Sequence, residues 1–110
     1  MMKLVIAIVQ DQDQNILSNA FLEANIRATK LSSTGGFLRS GNTTFLLGVE
    51  DHLVDEVLDI IKNCSESREQ YISSPIHLDV SLDISASYPI RVEVGGATVF
   101  VLPIDSFHQF

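Results

Sequence analysis

The chain opens with an unbroken apolar run and then changes to a helical pattern. Leu4 to Val9 is LVIAIV, a β-branched run typical of a central strand that is covered on at least part of both faces. From residue 13 to residue 25 the apolar side chains recur every three or four positions, which predicts an amphipathic helix lying on the sheet. Asp11 or Asp13 is placed to cap this helix by accepting hydrogen bonds from its first N–H groups.

The same order of elements follows in the second half of the chain. A second strand is predicted to begin near Arg27, and the segment from Thr43 to Glu50 predicts a third. Asp51 is then placed as a cap, and Leu53 to Ile61 has the apolar spacing of a second helix. FLLGVED therefore echoes VIAIVQD. Two interleaved units of this kind predict one α+β domain over residues 1–110 with the ferredoxin-like β-α-β-β-α-β order.

The C-terminal third contains two more strand patterns and an aromatic tail. Ile90 to Val94 alternates, Gly95-Gly96 is a two-residue turn signal, and Ala97 to Leu102 is rich in β-branched residues. We expect these strands to pair as a hairpin, which adds an extra C-terminal strand to the fold. The mostly polar connection over residues 64–89 is long for a compact domain and is expected to be functional or mobile. The tail, Phe107 to Phe110, is expected to dock beside the ligand loop or on a neighbouring subunit.

Most of the candidate chemistry lies between Arg27 and Gly48. Thr34-Gly35-Gly36 can adopt backbone conformations that let a ligand approach main-chain N–H groups closely. Phe37 and Leu38 follow at once in a polar loop, without an evident core to enter. This one stretch supplies a fixed cation, hydroxyls, amides and an aromatic face, which is the inventory of a nucleotide-sized binding site.

Three side chains of this stretch have a specific use in binding a nucleotide. Phe37 can stack on adenine, Asn42 can pair with an adenine edge, and Arg27 can donate two N–H groups to a phosphate. Each also has an ordinary structural explanation. These are a loop aromatic folded onto its own subunit, a Gly41-Asn42 turn, and a surface salt bridge. The residues by themselves leave both explanations open.

Composition narrows the range of partners. Seven basic against fourteen acidic residues give a net charge of -7, which argues against a groove that tracks DNA or RNA phosphates but permits a small anion held locally. Hydrophobic residues make up 45% of the chain, a high share for a small domain, so part of the apolar surface is expected between subunits. The lone Cys64 fits a reducing cytoplasm, and no segment has the length or pattern of a membrane span or signal peptide.

Motifs of catalysis and metal binding were sought and not found in the sequence. No phosphate-loop or dinucleotide-binding motif is present, the three histidines lie far apart, and no C-x-x-C accompanies the single cysteine. A plain thiol is expected at Cys64 rather than a nucleophile. The sequence therefore predicts a protein without enzymatic activity, cofactor or metal.

Three segments together resemble the PII-like cyclic-di-AMP receptors of Gram-positive bacteria: KLVIAIVQDQD, NIRATKLSSTGGFLRSGNTTFLLGVED and IRVEVGGATVFVLPIDSFHQF. The resemblance covers nearly the whole chain and fails only around SPIHLDVSLDISASYP. It implies a cytoplasmic homotrimer of ferredoxin-like subunits, one cyclic-di-AMP in each cleft between neighbours, no catalysis, and an effector protein that responds to the bound state. The ligand residues of the family fall here on Asn25, Arg27, Thr29, Gly36, Phe37, Leu38, Asn42, Gly48, Phe100 and Gln109.

Two other functions remain open at this point. One is an ordinary PII-type sensor of ATP and 2-oxoglutarate, against which the short loop between strands two and three argues. The other is a trimeric interaction protein that binds no nucleotide, in which the glycines and the aromatic tail serve assembly alone.

Overall fold

The computed structural model of the protein describes residues 1–32, 41–73 and 89–110. Its strands and helices lie in the following order: β1 (Met2–Gln10), α1 (Gln14–Glu23), β2 (Thr29–Ser32), β3 (Asn42–Glu50), α2 (Val54–Ser65), β4 (Arg68–Ser73), β5 (Pro89–Val94) and β6 (Ala97–Pro103). One turn of 3-10 helix precedes each α-helix, at Asp11–Asp13 and at Asp51–Leu53. Neither α-helix is long and apolar enough to cross a membrane, among the residues described.

Four strands form one antiparallel sheet in the order β2-β3-β1-β6. The two helices each connect a strand at the centre of this sheet to a strand at its edge or to the hairpin that follows. This is the sheet and helix content of a small ferredoxin-like domain, so the predicted α+β class is confirmed. β4 and β5 stand apart from the sheet as a two-stranded hairpin.

The predicted pairing of the last two strands is wrong. β5 pairs with β4, with Val94 opposite Arg68, and β6 instead lies along β1, with Ala97 opposite Val9. Gly95 and Gly96 both have positive φ, at 84° and 101°, but they carry the chain from one sheet to the other and do not reverse it. Part of the connection expected over residues 64–89 is therefore strand β4, while residues 74–88 lie outside the described residues.

The predicted helix caps are also wrong. Asp13 is the residue before α1, but its backbone is helical, at φ -98° and ψ -4°, and its side chain makes no capping hydrogen bond. A capping side chain typically reaches back to the helix from an extended, non-helical backbone. No side chain caps the second helix either, because the turn that begins at Asp51 separates that residue from α2. The acidic residues before α1 have other partners, which are described below.

Alternate residues of the central strands form the core beneath the helices. Phe21 of α1 meets Phe45 of β3 edge to face, with ring centroids 5.8 Å apart and planes inclined at 68°, a favourable aromatic geometry. The fully or nearly fully buried apolar side chains among the described residues are Val5, Ala7, Val9, Leu17, Phe21, Ile26, Phe45, Leu47, Val49, Val57 and Ile61. Both helices are therefore fixed on one face of the sheet.

The other face of the sheet, which we call the open face, is apolar as well. In the strand register, Ile6 of β1 lies between Leu46 of β3 and Phe100 of β6. In the next row, Leu4 lies between Gly48 and Leu102. None of these side chains is fully buried, and Phe100 is 53% exposed. A row of partly exposed apolar residues across three strands is typical of a surface that another protein chain covers.

Phe21→Ala should destabilise the domain by about 3–5 kcal/mol, because it removes one ring of the buried aromatic pair and leaves a cavity. Leu22→Ala is the matched control, since the next residue of the same helix is 76% exposed and should change the free energy of unfolding by less than about 0.5 kcal/mol. Urea denaturation at one protein concentration measures both variants. Equal destabilisation by the two changes would contradict this description of the core.

Candidate functional site

Asn25 and Arg27 are placed by the way α1 ends. Asn25 has a left-handed backbone, with φ 62°, a conformation that Asn tolerates better than most residues. The Asn25 N–H donates to the Leu22 carbonyl at 3.1 Å, and the Ile26 N–H donates to the Phe21 carbonyl at 2.9 Å. This pair of bonds is the Schellman helix end. It turns the chain so that Ile26 enters the core while Asn25 and Arg27 remain exposed.

Three predicted ligand residues meet at one cleft. Asn25, Arg27 and Gly48 line a space of about 230 Å³, together with Met2 and Glu50 among others. Arg27 also lines a second cleft of about 330 Å³ between α1 and β2. The first cleft therefore combines a cation, a side-chain amide and an open stretch of backbone, which are groups that recognise a phosphate and a base edge.

Gly48 leaves room for the C-terminal tail. A Cβ at this position would lie 3.3 Å from Cε2 of Phe107 and 3.7 Å from Cε of Met2. The tail leaves the edge strand β6, where the Ile104 N–H donates to the Met2 carbonyl at 3.2 Å, and crosses the open face to reach Gly48. Phe107 therefore lies against Gly48 of its own subunit while remaining 53% exposed, and Phe110 is fully exposed. The ligand loop beside which the tail was expected to dock lies outside the described residues.

Thr29 and Phe100 share the open face but lie at opposite edges of the sheet. Thr29 of β2 is opposite Leu46, and Ile6 joins Leu46 to Phe100 of β6. Three strand spacings, about 14 Å, separate the two edges. Within one subunit, the structure does not bring these two predicted ligand residues together.

Asn42 lies at the far end of β3 from Gly48. It begins the strand directly opposite Gln10, and six residues of extended chain place it about 20 Å from Gly48. Its neighbours Gly41 and Thr43 are both bonded to Asp11: the Asp11 N–H donates to the Gly41 carbonyl at 2.9 Å, and the Thr43 hydroxyl donates to the Asp11 carboxylate at 2.5 Å. Asn42 is therefore held on both sides by one residue.

The remaining predicted ligand residues have less structural context. Gln109 is exposed and lies two positions after Phe107, so it can be no more than about 7 Å along the chain from the residue that packs on Gly48. Gly36, Phe37 and Leu38 lie outside the described residues.

A family comparison shows which proteins this chain is related to. Residues 2–110 match the model of a family described as the cyclic-di-AMP receptor. The chain belongs to the cyclic-di-AMP receptor family. The family expected from the sequence motifs is thereby confirmed, and with it a role in binding a signal nucleotide. The chain is also similar to the crystal structure of a functionally unknown protein from Pediococcus pentosaceus ATCC 25745, at 56% identity, with a TM-score of 0.80, over 99% of this chain and 97% of that one.

Two features of this receptor concern covalent chemistry and metal binding. Burial raises the pKa of the Cys64 thiol above its ordinary value, and the negative charge of Asp13 raises it further, so the thiol stays protonated at neutral pH and is a poor nucleophile. In the described ranges, no three His, Cys, Asp or Glu side chains converge on a position that could hold a metal ion.

One residue beside the cleft was not among the predicted ligand residues. Phe107 packs on Gly48 and lies next to the cleft that Asn25 and Arg27 line. A glycine inside a strand often marks the close approach of another group, and Gly48 is the one glycine of β3. That signal could have indicated that some side chain packs there, but the sequence does not say which one.

Asn25→Gly should leave the stability of the receptor within a few tenths of a kcal/mol, whereas Asn25→Ala should cost about 1–2 kcal/mol, because Ala keeps the Cβ that strains this left-handed position but loses the short polar side chain through which Asn tolerates it. Thermal or urea unfolding of both variants at equal concentration measures the difference. If Ala were tolerated as well as Gly, the helix end would not depend on the conformation of Asn25.

Proposed function

We propose that this receptor is a homotrimer that binds one cyclic-di-AMP in each cleft between neighbouring subunits and passes the bound state to a protein partner by changing the order of its loops. The observation that carries the proposal is the division of the predicted ligand residues between two edges of one sheet. Arg27 and Thr29 are at the β2 edge, and Phe100 is at the β6 edge.

A site divided in this way becomes complete when the β2 edge of one subunit faces the β6 edge of the next. Contact between two different edges is heterologous, and a heterologous contact forms a ring when the rotation between neighbours closes on itself. The apolar open face supplies a reason for the subunits to associate, since burying apolar surface gains about 25 cal/mol per Å². The resemblance to PII-like receptors supports three subunits in the ring.

The chemistry of cyclic-di-AMP suits the residues along these edges. The ligand has two phosphodiesters, each with one negative charge, and two adenines that need flat contacts and amide partners. Arg27 keeps its charge at every physiological pH and can donate two parallel N–H groups to a phosphate. Asn25 and Asn42 have amides that can pair with adenine edges, while Phe100 and Phe37 offer faces for stacking.

A local site of this kind overcomes the unfavourable charge of the whole protein. The net charge of -7 repels an anion at long range. At contact, Arg27 lines the cleft with Asn25 and Gly48, so its fixed positive charge acts where the proposed phosphate binds.

Calorimetry with cyclic-di-AMP, cyclic-di-GMP and ATP tests the proposed ligand. Micromolar or tighter binding is expected for cyclic-di-AMP alone, because amide pairing to adenine excludes guanine and ATP lacks the second base. Asn25→Gly should lower the affinity for cyclic-di-AMP about tenfold or more while the protein stays folded, since the change removes one side-chain amide but keeps the backbone conformation. Equal binding of the three nucleotides, or binding of none, would contradict the proposal.

A further inference from the structure

The 3-10 turn at Asp11–Asp13 touches two parts of the receptor that are far apart in sequence. Its first residue is bonded to the start of β3. The Asp11 N–H donates to the Gly41 carbonyl at 2.9 Å, and its carboxylate accepts from the hydroxyl of Thr43 at 2.5 Å. Thr43 is buried and Asp11 is exposed. The start of β3 is therefore joined to the 3-10 turn through Asp11.

The last residue of the same turn holds the base of the β4–β5 hairpin. The Asp13 carboxylate, only 1% exposed, accepts from both terminal nitrogens of Arg68, at 2.7 and 3.3 Å. Arg68 is the first residue of β4 and also donates to the Glu66 carbonyl at 3.1 Å. Its hydrogen bond to Asp13 raises the pKa of Arg68 above its ordinary value, so the guanidinium keeps its charge. A two-pronged bond of this kind fixes direction as well as distance.

The second strand of the hairpin is tied to the residue just before the turn. The Gly95 N–H, at the end of β5, donates to Oε1 of Gln10 at 2.8 Å. A Cβ at Gly95 would lie 2.7 Å from the Glu66 carbonyl oxygen and collide with the guanidinium of Arg68. Glycine therefore lets β5 pass close over the ion pair. Gln10 in turn lies directly opposite Asn42 in the β1–β3 ladder.

In the parts of β4 and β5 whose burial is described, the side chains away from the base are exposed. Tyr71 and Ile90 are 63% and 51% exposed, and the partly buried side chains, Val92 and Val94, lie toward the base. An element with few buried contacts beyond its base opens more easily than the core. The bonds at Gln10 and Asp13 are therefore among the contacts that hold its base, together with the bond from the Gly96 N–H to the Ser65 carbonyl at 2.6 Å.

We propose that the segment Gln10–Asp13 is a mechanical link between the ligand site and the hairpin. This inference rests on the proposed function, in which cyclic-di-AMP binds at Asn42 and fixes the start of β3. Asp11 moves with the start of β3 because two hydrogen bonds join them. Asp13 and Gln10 then transfer the change to β4 and β5. The Asp13–Arg68 pair moves as a unit, because separating it would leave a buried carboxylate without a partner. The hairpin is then the element whose order reports the bound ligand.

Hydrogen exchange of the amides paired between β4 and β5 tests the link. In the unaltered protein, saturating cyclic-di-AMP should slow this exchange at least about fivefold, the lower end of ordinary coupling between sites. Asp11→Ala removes the acceptor of Thr43 and should abolish most of that slowing. Asp11→Asn keeps an oxygen acceptor and should restore it. Arg68→Lys keeps the charge but loses the two-pronged bond, and should speed exchange in the hairpin without ligand.

Calorimetry on the same samples separates the two levels of the proposal. If cyclic-di-AMP binds but the hairpin exchanges at the same rate with and without it, the link is wrong and the binding function stands. Equal behaviour of Asp11→Ala and Asp11→Asn would also overturn the link. If cyclic-di-AMP does not bind and Arg68→Lys leaves hairpin exchange unchanged, both proposals fail.

Discussion

Two helices can cover only one face of a four-stranded sheet, and this constraint governs the rest of the structure. The alternation of β1 and β3 sends Val5 and Leu47 under the helices and leaves Ile6 and Leu46 on the open face. The open face is too apolar to suit permanent contact with water. The tail covers part of it, where Phe107 packs on Gly48. The remainder is the surface on which the proposed assembly and the proposed ligand site both depend.

Much of this fold was predictable from local pattern. The strands β1 and β3, both helices and the family were indicated by residues close together in the chain. The misassigned pairing of β5 has a clear physical cause, because a Gly-Gly pair shows that the backbone can turn sharply but not which strand comes next to it. The partner of β5 is β4, on the other side of residues 74–88. The helix caps failed for a related reason: the partner of Asp13 is Arg68, 55 positions away.

The sequence predicted which residue types could bind the ligand, but residue spacing did not predict where the sheet places them. Asn25, Arg27 and Gly48 do meet at one cleft. Thr29 and Phe100 belong to the same set of ligand residues, yet the sheet order places them at opposite edges. Strand order depends on contacts distant in sequence, so residue spacing alone did not reveal the separation, although the family resemblance already implied a site between neighbouring subunits. Because the ligand residues lie at two edges of the sheet, the proposed site requires two neighbouring subunits.

The central claim, that each ligand site takes residues from two subunits, is tested most directly by mixing two defective proteins. Arg27→Ala damages one edge, and Phe100→Leu damages the other while keeping the open face apolar. Each alone should bind cyclic-di-AMP weakly. After the two are unfolded together and refolded at equal concentration, about one quarter of the sites should regain full affinity by calorimetry, as random pairing of two subunit types requires. Recovery of none of the sites would contradict the account, since Arg27 and Phe100 would then have to act within the same subunit.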